Sequence, residues 1–238
     1  IGAYKKILNI IEKYKIDAVM SSTPIGGALA RLAAKKKDIS PVLYEAHGFL
    51  FFKGAPFLNR TVYKLEEEVL AHYTDVLITI TEEDYAAAQE FKLRSGQKPY
   101  LVHGAGVRVG VKVEVDRASK RTSLGIPENA FVIVSAGELN KNKNTEVVVK
   151  ALKEVPEAHY IACGVGPEEE NLKKLAEELG VADRFHLLGY RTDMPQLMAA
   201  SDVFTMMSFR EGMPRSLLEA MDIGLPCVGS DTRGIRDL

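Results

Sequence analysis

The sequence has 238 residues, 46% hydrophobic and 26% charged, and its 31 Lys and Arg against 32 Asp and Glu leave a formal net charge of -1. That is the composition of a soluble globular protein of one or two domains with ample material for a core, and nucleic acid is not an expected partner. No apolar run approaches the ~20 residues needed to cross a bilayer, and no basic segment followed by an apolar one opens the chain as a secretory signal would. Cys163 and Cys227 lie far apart in apolar runs, which reads as two buried strand residues rather than a disulfide or a metal site. That usage favours a reducing, cytoplasmic setting.

In chain order, the first run alternates helices over about 3–14, 25–36, 58–73 and 82–92 with strands near 17–21, 41–46, 76–79 and 99–102. Thr81-Glu82-Glu83-Asp84 supplies a capping box for the last helix. Residues 1–64 carry 11 Lys and Arg against 4 Asp and Glu, a local balance of +7. Lys35-Lys36-Lys37 and the run Phe49 to Lys53, with Phe57, Arg60, Tyr63 and Lys64, would suit an anionic membrane surface or a lipid-diphosphate acceptor. A solvated helix end beside a partly buried aromatic loop would account for the same residues without a ligand. A polar, basic stretch without clear period then reads as a linker over 105–125.

The second run has strands near 131–136, 159–163, 185–188, 202–206 and 226–229, with helices over about 145–153, 167–179, 193–199 and 215–223. Apolar strands alternating with amphipathic helices are the pattern of parallel sheets covered on both faces. The expected fold class is therefore α/β, with two Rossmann-like doubly wound domains, 1–104 and 126–238, facing each other across a cleft. Ligands in such sheets sit at the carboxyl ends of the strands. Residue 1 is Ile, no strand precedes the first helix, and the last residues run off a strand-to-loop junction. The chain thus reads as a fragment, with both domains incomplete.

The candidate chemistry falls at those strand ends. Residues 137–144 follow the first strand of the second run, where Gly137 and Lys143 would put a point charge beside a diphosphate; a solvated Lys/Asn turn is the plainer alternative. Gly164-Val165-Gly166-Pro167 follows the next strand and allows close approach of a ligand or simply a tight turn. Tyr190 and Arg191, after Gly189, stand where a base edge could be met. Further on, Pro214 suits the first turn of a helix whose buried stripe would be Leu217, Leu218 and Met221. Glu211 then lies in the loop before that helix and Glu219 one to two turns into it. Free amides at a helix start attract phosphate, and a carboxylate can accept two hydrogen bonds from a ribose diol. That combination points to a nucleotide-sugar site.

In the first run, His47 ends a strand and is followed by Gly48. His72, His103, His159 and His186 lack zinc-site spacing. No D-x-D triplet is present to hold a metal-diphosphate, so donor binding without metal, and with no other cofactor, is expected. There is no G-x-S-x-G, P-loop or G-x-G-x-x-G motif.

The order His47-Gly48, residues 137–143, Gly164-x-Gly166-Pro167, Gly189-Tyr190-Arg191, and Glu211 with seven residues to Glu219, resembles the family-4 retaining glycosyltransferases of GT-B fold. It looks closest to the bacterial members that build capsule and exopolysaccharide. The resemblance runs from Pro24 to Arg31 onward, and is most specific over 211–219 with 225–228, and over 46–48 with 53–56. It implies that Glu219 holds the ribose hydroxyls. The amides from Gly212 and Met213 to Arg215 and Ser216, with the Lys143 ammonium, would stabilise the leaving diphosphate. Glu211 would contact the donor sugar or its phosphate, and His47 would line the acceptor side. Retention in the family is ascribed to same-face attack, with the departing phosphate taking the acceptor's proton.

Glu138 stands where many members carry Arg, which shifts the charge clamp to Lys143 and Arg215. The resemblance implies transfer of a hexose or N-acetylhexosamine from a UDP-sugar to a glycan or polyprenyl-diphosphate-linked acceptor, on the cytoplasmic side and peripheral to the inner membrane. The fragment by itself is expected not to turn over. Two alternatives stay open: a sugar-nucleotide epimerase or hydrolase of the same fold, and a non-catalytic nucleotide-binding module left by truncation.

Overall fold

The computed structural model describes residues 2–104, 106–110 and 112–238; Ala105 and Val111 of the expected linker lie outside the described residues, as does Ile1. The chain divides into two compact units, Ile1–Gly104 with Asp237 and Ala105–Arg236 with Leu238.

The first unit runs α1 (Gly2–Tyr14), β1 (Val19–Ser21), α2 (Pro24–Lys36), β2 (Val42–Ala46), α3 (Phe57–Ala71), β3 (Val76–Thr79), α4 (Glu82–Ala88) and β4 (Tyr100–Leu101). Its four strands pair in parallel in the order β1-β2-β3-β4. β2 is central: Val42, Tyr44 and Ala46 are fully buried on one face, while Leu43 and Glu45 are half-buried on the other. Helix α2 brings a charge into this core. Arg31, 1% exposed, donates to Glu67 Oε2 of α3 at 2.8 Å and to the Gly27 carbonyl at 3.2 Å, and lies 3.8 Å over the Tyr44 ring. Gly27 is needed for that stacking, because a Cβ there would sit 2.6 Å from the Tyr44 ring.

At the start of α4 only part of the expected capping box forms. Thr81 Oγ1 accepts the Asp84 amide, but the Asp84 carboxylate takes the Thr81 hydroxyl at 2.9 Å and the Phe49 amide at 3.3 Å. The loop that carries His47 is thereby tied to α4.

The second unit runs α5 (Arg117–Ser123), β5 (Phe131–Ala136), α6 (Thr145–Ala151), β6 (Ala158–Cys163), α7 (Glu169–Glu178), β7 (Phe185–Gly189), α8 (Met194–Ala199), β8 (Val203–Met206), α9 (Arg215–Asp222) and β9 (Cys227–Gly229). The strands are parallel in the order β7-β6-β5-β8-β9. Both faces are covered, as alternating residues require. Val132, Val134, Ile161, Phe204, Leu197 and Leu217 fill one side, and Val149, Leu152, Tyr160, Ala162 and Leu172 the other.

Several local expectations are corrected. Helix α5 occupies part of the stretch read as linker. It carries no apolar stripe because polar bonds hold it. Asp116 caps it by accepting the Ala118 and Ser119 amides. Arg121, 6% exposed, donates to the carbonyls of Ala200, Glu128 and Ala130 and to Asp202 Oδ2. Pro214 is the N-cap of α9 rather than its first turn, and Met221 is 43% exposed while Ala220 takes the buried position. Cys163 is buried, but Cys227, on the terminal strand of the sheet order, is only half-buried.

Removing one partner of a buried ion pair strands the other charge. Glu67→Ala should therefore cost about 3–5 kcal/mol in urea unfolding, and Arg31→Met combined with Glu67→Leu should recover most of the loss. A second pair gives a pH dependence. His159 Nδ1 lies 3.0 Å from His186 Nε2, with the rings stacked. Burial lowers both pKa values, helped by Arg184 at His159 and by His159 at His186, with Asp183 opposing in each case. Depressed folded values mean that the unfolded chain binds more protons, so stability is full above the unfolded value near 6.5 and falls as pH drops from there. Thermal unfolding between pH 7 and 5, where carboxylates remain ionised, should show this slope, and His159→Gln should flatten it.

Candidate functional site

The site is built where β5 and β8 end. After β5 the chain makes a short 3-10 turn, Lys141–Lys143, capped by Asn140, whose side-chain oxygen accepts the Lys143 amide at 3.1 Å. Asn144 then takes a left-handed conformation with φ 51° and starts α6. This folds Lys143 back over the loop's first glycine: a Cβ on Gly137 would lie 3.1 Å from Lys143 Cε. The loop after β8 is latched to the same turn. The Phe209 amide donates to the Asn142 carbonyl at 2.8 Å, and the Asn142 side chain donates to the Arg210 carbonyl at 2.9 Å. Lys143 Nζ then donates to Glu211 Oε1 at 2.7 Å, with the two side chains 23% and 13% exposed. Ser216, in the first turn of α9, donates to the Ala136 carbonyl at the end of β5.

The glycines of the following loop serve this arrangement by close packing. A Cβ on Gly164 would stand 1.9 Å from the Gly137 carbonyl oxygen, and one on Gly166 2.3 Å from the Leu139 carbonyl oxygen. Backbone bonds from Gly137 to Cys163, Leu139 to Val165 and Glu168 to Leu139 complete the contact. The space at Gly164 is thus filled by backbone. Lys143 also lines a small cavity of about 20 Å³, together with Ser135, Gly137, Tyr160, Thr205 and Ser208 among others. The buried Thr205 and Ser208 hydroxyls have no hydrogen-bond partner among the described residues.

A larger pocket of about 420 Å³ lies along α9, lined by Arg215, Glu219, Asp222 and Ile223, with Pro195 and Met198 of α8 and with Gly106 and Arg108. Arg108, Arg215 and Glu219 make no ion pair or hydrogen bond among the described residues, although Arg215 and Glu219 are one turn apart on α9. Lys143 and Glu211 are thus paired while these three charges are unspent.

The remaining candidates fall elsewhere. Tyr190 is 80% exposed. Arg191 grips Asp193 with two bonds of 2.8 and 2.7 Å, and that contact, with Lys120 beside it, holds the Asp193 carboxyl far below the usual carboxylate range. Its guanidinium therefore serves a protein carboxylate. Glu138 accepts the Asn140 side chain at 2.9 Å within its own loop. Gly212 and Met213 precede α9, and the Gly212 carbonyl is packed so closely on Gly234 that a Cβ there would lie 1.6 Å away. His47 belongs to the first unit, half-exposed, with Nε2 3.4 Å from Glu45 Oε1. Among the described residues no three His, Cys, Asp or Glu side chains gather in a way that could hold a metal ion, and no helix is long and apolar enough to cross a membrane. Two participants escaped sequence reasoning: Asn142, which latches the loops, and Arg108, which sits in an aperiodic stretch with no motif to mark it.

Residues 116–238 match the family described as "Glycosyl transferases group 1", and residues 1–81 match "Glycosyl transferase 4-like". The chain belongs to the group 1 glycosyl transferases. It is 37% identical, over 100% of its own length and 65% of the relative's, to the putative glycosyltransferase EpsD of Bacillus subtilis. It is 29% identical, over 96% of its length and 61% of the relative's, to the UDP-Gal:alpha-D-GlcNAc-diphosphoundecaprenol alpha-1,3-galactosyltransferase of Escherichia coli. Among solved structures, Anabaena HepE in complex with UDP and glucose superposes with a TM-score of 0.81 at 22% identity, covering 98% of this chain and 64% of that one. This glycosyltransferase chain therefore spans somewhat under two thirds of the relatives it matches. The GT-B fold and the exopolysaccharide-type resemblance read from the motifs are upheld by these findings.

Proposed function

We propose that the protein to which this chain belongs transfers a sugar from a nucleotide-diphospho-sugar, a UDP-sugar, to a glycan or polyprenyl-diphosphate-linked acceptor, with retention, in bacterial surface polysaccharide synthesis. The observation that carries the reading is the convergence of Lys143 and Glu211 beside the start of α9, with Glu219 in a roomy pocket one turn on. The printed names of the relatives support the donor and acceptor classes: UDP-Gal and a diphosphoundecaprenol-linked acceptor for the Escherichia coli protein, and UDP with glucose in the HepE structure.

In this reading the Lys143 ammonium and the amides of Gly212, Met213, Arg215 and Ser216 meet the diphosphate. Negative charge grows on that group as the bond from the sugar's anomeric carbon to the phosphate oxygen breaks. Glu211, paired with Lys143 before the donor arrives, turns to the sugar or its phosphate. Glu219 accepts both ribose hydroxyls, and Arg215 supports the clamp where Glu138 replaces a second cation. The acceptor hydroxyl attacks on the face the diphosphate leaves, and its proton passes to the departing phosphate oxygen. His47 is assigned to the acceptor side. No metal is required, because the protein's own cations neutralise the leaving group.

Saturation-transfer NMR with uridine, UDP, GDP and ADP, in the absence of divalent metal, tests the donor site. UDP should bind selectively, and Glu219→Ala should cost about 1.5–3 kcal/mol of affinity. Lys143→Ala should weaken UDP far more than uridine. An unchanged affinity in folded Glu219→Ala would remove that residue from the site.

Attachment to an anionic membrane belongs to the same proposal and is assigned to α3. Phe57, Leu58, Val62, Leu65 and Val69 are all exposed on it, with Lys53 and Arg60 exposed beside them. Such a helix binds in the interfacial plane through its apolar face and its cations. Sedimentation with phosphatidylglycerol vesicles should carry the protein down, and Leu58→Asp with Leu65→Asp should reduce binding at least about tenfold. Equal sedimentation of wild type and variant would rule α3 out.

A further inference from the structure

Three neighbouring strands of the second unit each turn a hydroxyl to the same face of the sheet. Val134, Phe204 and Met206 pack with Leu197 and Leu217 on one side. Alternation therefore sends Ser135 and Thr205 to the other side, which α6 and α7 cover and where Tyr160 lies. The Ser135 and Tyr160 oxygens are hydrogen-bonded at 2.6 Å. Together with Thr145 at the start of α6 and Ser208 just beyond β8, these residues line the cavity of about 20 Å³.

Thr205 is 4% exposed and Ser208 0%, yet neither hydroxyl meets a hydrogen-bond partner among the described residues. A hydroxyl buried without a partner is costly, so two of them on one cavity call for a group that both can reach. The volume limits what that group can be. A water needs roughly 10–15 Å³ and two to four polar neighbours; this cavity has room for one water and none for a phosphate. Hydroxyls both donate and accept, as water does, so a single neutral molecule can satisfy both. We propose that the cavity binds one internal water, held by Thr205 Oγ1 and Ser208 Oγ and completed by the Ser135–Tyr160 pair, whose oxygens keep lone pairs to offer. The water joins the carboxyl ends of β5 and β8, where the two loops carrying Lys143 and Glu211 depart. It is required by the fold itself and does not depend on which donor or acceptor those residues serve.

A high-resolution crystal structure of the chain should show density for one water within about 3 Å of both hydroxyls. Oxygen-17 relaxation dispersion in solution should count one fewer long-lived water in the Thr205→Val, Ser208→Ala double variant than in the wild type. Each single variant leaves the water short of a partner and should lower the thermal unfolding midpoint by about 2–4 °C. A dry cavity gives the opposite sign: Thr205→Val would then replace an unpartnered hydroxyl by a methyl of the same shape, and the midpoint would rise. A midpoint that stays or rises in either single variant, or a wild-type cavity without density, would overturn the proposal. Should the double variant fail to fold, the wild-type density and the single variants decide.

Discussion

Two loops at the carboxyl ends of β5 and β8 hold each other, and the candidate site depends on that latch. Across it the Phe209 amide donates to the Asn142 carbonyl and the Asn142 side chain to the Arg210 carbonyl, and Lys143 and Glu211 close it as an ion pair. The pair is partly exposed, so its net contribution to stability is small, and solvent screening reduces it further. The bonds to the backbone therefore do the positioning, while the ammonium is held in place without being locked. A polyanion arriving at the start of α9 could compete with Glu211 for that ammonium at little cost. An apolar or fully buried pairing would have given the same geometry without this freedom.

The latch in turn requires backbones to lie closer than side chains permit. Gly164 and Gly166 sit directly on the Gly137 and Leu139 carbonyls, and Gly234 on that of Gly212. These glycines act at one remove from any ligand: they bring strand ends and loops within backbone hydrogen-bonding range. Both units also use a buried arginine to tie helices to a sheet. Arg31 does so through Glu67 and the Tyr44 ring, and Arg121 through three carbonyls and Asp202. A planar guanidinium with five donors can satisfy several acceptors at once, which a lysine in the same place could not.

Much of the fold was legible because its signals are local. The run Phe131 to Ala136 alternates about a sheet buried on both faces, and α7 and α9 show helical spacing, so strand and helix positions agree with the structure to within a few residues. Helix α5 escaped because its anchor is one buried arginine and a capping aspartate, neither of which produces an apolar period. At the site, Lys143, Glu211 and Glu219 were legible as residue types at strand and helix ends. Arg191 looked equally available as a ligand group, yet Asp193, two positions on, engages it. Sequence distance alone does not say whether such a neighbour turns inward to meet it.

The sequence by itself determined the alternation of strands and helices, the parallel sheets that follow from it, and the chemical groups present at each strand end. Hydrophobic period and turn chemistry are properties of a few consecutive residues, so no distant contact is needed to express them. Only the tertiary structure decided which charges are spent and which are free. Lys143 meets Glu211 across 68 positions, the Gly110 amide meets Asp222 across 112, and Arg108 is left facing the pocket with Glu219. A polar side chain takes its partner from whatever the packed backbone brings within about 3 Å, and that is settled by the whole sheet rather than by neighbours in the chain.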